Sequence, residues 1–160
     1  MPNLDDRGGE RNDEPGFGFT RLRLGEQLGL EKLGASLYEL PPGQTLWPYH
    51  WHHANEELAI VLEGTVVLRD ADGDRTLERG ELVGFPTGPR GAHQLRNDSS
   101  ETARILMLST AIFPELVDYP DSGKLGVFGT APLHDAGGAT RAWIPLDARV
   151  DYYDGERPSA

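Results

Sequence analysis

A chain of 160 residues has the length of one domain and can bury a core without staples. It has no cysteine, which excludes disulfides, a thiolate metal site and a thiol nucleophile. A formal net charge of −11 argues against nucleic acid and against an anionic membrane as partner, and no apolar run approaches the roughly 18 residues of a membrane-spanning helix.

Residues 1–16 are polar and rich in Gly and Pro, a composition that predicts a disordered N-terminal arm. The acidic start, Met1-Pro-Asn-Leu-Asp-Asp-Arg7, lacks the apolar stretch of an export signal, so a cytoplasmic location is expected. Without export, the formal sequon Asn97-Asp-Ser99 carries no weight. Gly16-Phe-Gly18 matches a fragment of a nucleotide-binding loop, but no strand precedes it.

Thr20-Arg-Leu22-Arg-Leu24 alternates polar and apolar and reads as a first strand. Gly25, Gly29 and Gly34 limit the next stretch to a single helical turn. Ala35 to Leu40 reads as a second strand, closed by the turn Pro41-Pro42-Gly43. Glu57 to Glu63 is apolar on both faces, with Ala59 and Val61 on one and Leu58, Ile60 and Leu62 on the other. Such a strand is covered twice. Its inner face is expected to line a barrel, and its outer face to pack under the N-terminal segment or a second subunit.

Val66 to Arg69 and Arg75 to Leu77 form a predicted hairpin with Asp72-Gly73 at its turn. Leu82 to Phe85, His93 to Arg96 and Ala103 to Ser109 supply three more strands. Many short strands with glycine turns indicate a sandwich or barrel. Residues 111–160 are less regular, with Pro114, Pro120, Pro132, Pro145 and a Gly137-Gly138 pair. Arg141 to Leu146 and Asp151-Tyr152-Tyr153 carry aromatic surface expected to dock back onto the barrel.

Two blocks carry the chemistry. The first runs from Gly43 through His50, His52, His53, Glu56 and Glu57 to Gly64; the second holds Gly80, Pro86, Gly88, His93 and Asn97. Alternate strand residues share a face, so His50 and His52 point the same way and His53 points the other. Imidazole nitrogen and carboxylate oxygen suit first-row transition metals. Taken singly, each histidine reads as an ordinary polar residue at a barrel mouth.

The spacing resembles that of the cupin superfamily. Its first motif is matched by Gly43, His50-x-His52, Glu57 and Gly64, and its second by Gly80, Pro86, Gly88, His93 and Asn97, with four residues between Gly88 and His93. The resemblance implies an all-β fold, a small antiparallel double-stranded β-helix or jelly roll over residues 17–110, with irregular N- and C-terminal extensions. It implies His50, His52, Glu57 and His93 as ligands of one divalent transition metal per chain: manganese, iron, nickel or zinc. It further implies a homodimer, since cupin barrels commonly pair.

Glu56 remains an alternative to Glu57, although the six-residue gap to Gly64 favours Glu57. Asn97 is expected to hydrogen-bond a turn. Tyr119-Pro-Asp-Ser-Gly-Lys124 looks like a segment found in a group of small cupins, and Lys124 is a candidate contact for an anionic substrate at the mouth, against the plainer reading of a surface loop. Two functions follow from the resemblance. One is a metal-dependent enzyme on a small oxygen-rich metabolite, such as a carboxylate, keto acid or sugar, with Glu57 able to act as a base. Dioxygenase, isomerase and decarboxylase chemistry are all open. The other is a module that binds or senses a small ligand without turnover.

Overall fold

Segments of three to eight residues, separated by turns bearing Gly, Pro and Asp, leave no room for long helices. The computed structural model describes residues 1–129, 141–148 and 150–156 and is built almost wholly from strands. In chain order these are β1 (Glu10–Asn12), β2 (Phe19–Arg23), the helical turn α1 (Leu24–Gln27), β3 (Leu33–Leu40), β4 (Thr45–His52), β5 (Glu57–Glu63), β6 (Thr65–Asp70) and β7 (Gly73–Glu78). There follow β8 (Leu82–Phe85), a 3-10 turn (Pro89–Gly91), β9 (His93–Arg96), β10 (Ala103–Thr110), β11 (Glu115–Tyr119), β12 (Lys124–Phe128) and β13 (Arg141–Pro145).

One sheet has the order β1-β2-β3-β10-β5-β8 and the other β13-β12-β11-β4-β9-β6-β7. Every pairing is antiparallel, as a jelly roll requires. The inner faces meet in a core that includes Leu40, Val61, Leu68, Leu77, Leu95 and Ile105, each 1 % exposed or less. Each such side chain contributes about 1.5–3 kcal/mol by leaving water. The β6–β7 loop is Ala71-Asp72, with Asp70 paired to Gly73, so the turn sits one residue earlier than the Asp-Gly signal suggests.

Strand β4 is irregular where the site begins. Leu46 pairs with Leu95 and His50 with His93, so three residues of β4 face one of β9. This bulge holds Trp47 at φ 62°, a left-handed conformation that costs a bulky residue about 1–3 kcal/mol. Pro48 lies inside it, where a missing N–H costs no ladder bond. The Trp47 carbonyl accepts from Gln94 Nε2 at 3.2 Å, which pins the bulge to β9.

The first 16 residues depart from the disordered arm that their composition predicts. Glu10, Arg11 and Asn12 pair with Arg21, Thr20 and Phe19. Gly9 (φ 128°) passes so close to β2 that an added Cβ would lie 2.3 Å from the Arg21 carbonyl oxygen. Arg104, 1 % exposed, donates to the Leu4 and Asp6 carbonyls at 2.7 and 2.8 Å and to Glu63 at 2.8 Å. Order here comes from strand pairing and a buried cation rather than apolar content, so composition does not report it.

Residues past 110 extend the second sheet. Val117 and Asp118 of β11 pair with His52 and Trp51, and β12 and β13 add outward from there. Arg69 ties the β11–β12 turn to the sheet through Asp121 at 2.6 and 2.8 Å. Tyr152 and Tyr153 do not dock as expected; both are exposed. Pro132 and the Gly137-Gly138 pair lie outside the described residues. Among the described residues no helix is long and apolar enough to cross a membrane.

Candidate metal centre

The two motif blocks meet between the sheets. His50 and His52 lie on β4, Glu57 opens β5 and His93 opens β9. One ligand atom each from His50, His52 and Glu57 fall within 4.8 Å of one another. Glu57 Oε2 lies 3.3 Å from His52 Nε2 and 3.2 Å from His93 Nε2. The rings of His50 and His93 are 4.6 Å apart between centroids, and Phe85 stacks on His93 at 3.7 Å.

The extra residues before His93 are absorbed locally. Pro89–Gly91 winds into the 3-10 turn, and Gly91 lies so close to the Pro86 carbonyl that no side chain would fit. The Gly88 N–H donates to the His52 carbonyl at 2.8 Å, which ties the second motif to the first. Asn97 donates to the Leu40 and Glu101 carbonyls, both at 2.7 Å, the turn-holding role expected of it.

Backbone carbonyls set two of the tautomers. His50 Nδ1 donates to the Pro48 carbonyl at 2.8 Å, and His93 Nδ1 to the Gly91 carbonyl at 2.9 Å. A carbonyl only accepts, so each Nδ1 carries a proton and each ring turns its Nε2 edge to the site. Burial, reinforced by His93, pushes the His50 pKa down to about 3, which keeps that ring neutral. Burial would raise the Glu57 carboxyl, but His52 and His93 outweigh it and hold Glu57 well below the usual range.

Glu56 and Glu57 separate clearly. Glu56 is exposed and its backbone N–H donates to Thr110 Oγ1 at 3.1 Å, whereas the Glu57 carboxylate points at the histidines. His53 turns away, as strand alternation predicts, and its Nε2 meets Asp118 at 2.7 Å. Lys124 does not line the cavity around the histidines; its Nζ lies 5.2 Å from the Tyr119 ring centroid. Tyr119 stacks on His50 at 5.9 Å.

Glu115 is the site residue that sequence reading missed. It is 3 % exposed, accepts from the His53 and Ala54 N–H groups at 3.0 and 3.1 Å, and takes a close contact from Asn55 Nδ2. Its Oε2 lies 3.7 Å from His52 Nδ1, an ion-pair distance too long for a hydrogen bond. Burial would raise this carboxyl too, yet His52 and the donated N–H groups lower it. Glu115 thus braces His52 from behind, as outer carboxylates do for metal-binding imidazoles. It lies 63 positions beyond His52 in an irregular tail and matches no motif, so no local signal marks it.

His52 Nδ1, His52 Nε2 and Glu57 Oε2 are buried without hydrogen-bond partners. Buried polar atoms rarely stay unsatisfied. Three imidazoles and a carboxylate that converge, with His52 and Glu57 atoms left without partners, fit a borderline first-row ion by chemistry and by need. The surrounding cavity is about 500 Å³ and is also lined by Arg21, Arg23, Tyr38, Ser36 and Trp143. Its size suits a small metabolite.

The cupin-domain family model matches residues 36–109. A protein from Acidithiobacillus ferrooxidans, proposed to be a sugar phosphate isomerase, is 28% identical over 92% of this chain and 91% of its own, with a TM-score of 0.78. A sugar phosphate isomerase from Silicibacter pomeroyi, of the cupin superfamily, is 27% identical over 96% of this chain and 98% of its own, with a TM-score of 0.77. The Thermus thermophilus protein TT1209 is 26% identical over 69% of this chain and 95% of its own, with a TM-score of 0.56. No curated protein matches the chain in sequence. Fold and site together define a jelly-roll protein with a His-His-Glu group able to hold a metal ion. Residues 36–109 match the cupin domain, and the fold is the jelly roll of the cupin superfamily.

Proposed function

We propose that the chain is a metal-dependent isomerase of a small sugar phosphate, with His50, His52, Glu57 and His93 as ligands of one divalent transition metal. The observation that carries the metal is the partnerless Glu57 Oε2 held 3.3 and 3.2 Å from two imidazole Nε2 atoms. The similarity to proteins named sugar phosphate isomerases, over more than nine-tenths of the chain, supports the substrate class.

The bound ion would polarise a substrate carbonyl as a Lewis acid. Interconverting an aldose and a ketose moves one proton between adjacent carbons and one between their oxygens, so no oxidant or co-reactant is consumed. Glu57 would serve as the base for the carbon-bound proton on leaving the ion. His52, braced by Glu115, and His93, stacked on Phe85, fix where that carboxylate sits. Tyr38, Trp47 and Met107 line the same cavity with largely apolar surface.

The test is to incubate metal-loaded protein with aldose phosphates of three to six carbons in deuterated water and follow isomer ratios and deuterium at the carbon next to the carbonyl by NMR. Interconversion abolished by a chelator and restored by one metal supports the reading. Saturable binding with neither interconversion nor exchange across the series would instead make the chain a ligand-binding module.

A further inference from the structure

We infer that Arg21 and Arg23 form a subsite for the phosphate monoester of the substrate, at the opposite end of the cavity from the metal ligands. The inference rests on the sugar-phosphate reading above and names the residues that would recognise the phosphate.

The placement follows from strand register. Arg21 and Arg23 are two residues apart on β2 and share a face, and both line the cavity that holds His50, His52, Glu57 and His93. Arg23 pairs with Ser36 on β3, Ser36 with Met107 on β10, and Met107 with Ala59 on β5. Glu57 lies one step further along that face of β5. Three strand spacings and a two-residue offset put the Cα atoms of Arg23 and Glu57 about 16 Å apart on a flat sheet, and closer on a curled one. The two side chains close much of that span from either end. What remains suits a chain of roughly three to six carbons, with its carbonyl end at the metal ligands and its phosphate at β2. Ser36 and Ser109 lie along the path, where hydroxyl groups would pass.

The guanidiniums are built into the wall. The Arg21 side chain is 17 % exposed, its Nε is buried without a partner, and its Cζ lies 5.8 Å from the Trp47 ring centroid. Arg21 Nη2 and Arg23 Nε share a single acceptor, Glu10 Oε2, at 2.8 and 3.0 Å. Arg23 Nη1 meets Glu26 at 3.0 Å. Glu10 is more than half exposed and sits on the edge strand β1. One exposed carboxylate oxygen on two guanidiniums leaves donors unspent. A phosphate dianion offers three acceptor oxygens and can take the place of Glu10 on both side chains, while also reaching Arg21 Nε. Arg141 of β13 lines the same cavity and adds a third cation. The cavity lining also holds Glu26, Glu57 and Glu115, but Glu57 and Glu115 lie at the histidine end, so the adjacent guanidiniums of Arg21 and Arg23 mark the β2 end for an anion.

The experiment is calorimetric titration of metal-loaded protein with triose, tetrose, pentose and hexose phosphates, each beside its unphosphorylated sugar, and with inorganic phosphate. At least one sugar phosphate should bind about tenfold or more tightly than its parent sugar. Arg21→Gln and Arg23→Gln should each erase most of that preference while metal per chain stays at the wild-type level. Glu10→Gln should shift binding the other way and tighten it, because both guanidiniums are freed. That opposite sign keeps the test decisive even if Arg21→Gln folds poorly. Equal affinity for every phosphate and its parent sugar, or a phosphate preference that survives both arginine substitutions, would overturn the subsite. The two readings fail separately. Arginine-dependent phosphate binding without isomerisation removes the isomerase and keeps the subsite, whereas isomerisation with an unchanged KM in both arginine variants does the reverse.

Discussion

His50 and His93 are register partners across β4 and β9, although a bulge lengthens β4 just before His50 and a 3-10 turn lengthens the loop just before His93. Each ring then donates Nδ1–H to the carbonyl two residues earlier in its own chain. The irregular backbone therefore does two jobs at once. It brings the ring centroids within 4.6 Å of each other and fixes the nitrogen that each turns to the backbone.

This arrangement ranks the ligands. His52→Ala and His93→Ala are expected to remove most of the bound metal. His53→Ala should leave it near wild type, because its ring turns outward to Asp118. Glu57→Gln should lose more metal than Glu56→Gln, since only Glu57 approaches His52 and His93. Metal per chain, measured by elemental analysis, checks all five variants. Equal losses in His52→Ala and His53→Ala would contradict the register of β4.

The dependence on pH has a definite sign. Burial would lower the His52 pKa, but Glu115 and Glu57 outweigh it and raise it to about 9. A folded-state pKa above the unfolded value of about 6.5 means that protonated His52 stabilises the metal-free protein. That stability is complete below pH 6.5 and is lost as pH rises through 9. A metal needs the neutral ring, so its own contribution runs the opposite way. The fall in Tm on adding a chelator should therefore be larger at pH 9 than at pH 6, as thermal melts would show. A fall that shrinks with pH would contradict the pairing of His52 with the two carboxylates.

Much of this was legible from the residues. The double-sided apolar strand at Glu57 to Glu63, the β6–β7 hairpin and the motif histidines all follow from alternation and spacing. What escaped is long-range. Glu115 reaches His52 through a β11–β4 pairing of two register positions, which no local period encodes. The residues before β1 are held by Arg104, whose partner carbonyls on Leu4 and Asp6 lie about 100 residues away in the chain. Lys124 has the right chemistry for an anion, but it lies over the Tyr119 ring and does not itself line the cavity, while two arginines on a strand with no motif do.

Arg104 anchors the first residues over the outer face. Arg104→Ala removes charge-assisted bonds to Glu63, Leu4 and Asp6, of which a single one contributes about 1.5–3 kcal/mol. The variant is expected to unfold at lower urea and to be cleaved within residues 1–16 by a protease that spares wild type. Unchanged stability together with unchanged cleavage would show that the segment is held by other contacts.

The same outer face carries a continuous apolar row. Leu22, Leu37, Leu106, Ile60 and Leu82 are successive register partners across five strands, and Leu82 is 62 % exposed at the edge. An exposed end to such a row suits pairing with a second copy. Light scattering at micromolar concentration is expected to give a dimer mass, and Leu82→Glu a monomer that keeps its metal. A monomer mass for wild type would leave the row covered by the chain's own N-terminal segment alone.

The central claim is that His50, His52, Glu57 and His93 hold a metal ion. Its most direct test is elemental analysis of wild-type protein grown in media supplemented in turn with manganese, iron, nickel and zinc and purified without chelators. The account predicts close to one divalent transition ion per chain in at least one preparation. No bound ion in any of the four would contradict it.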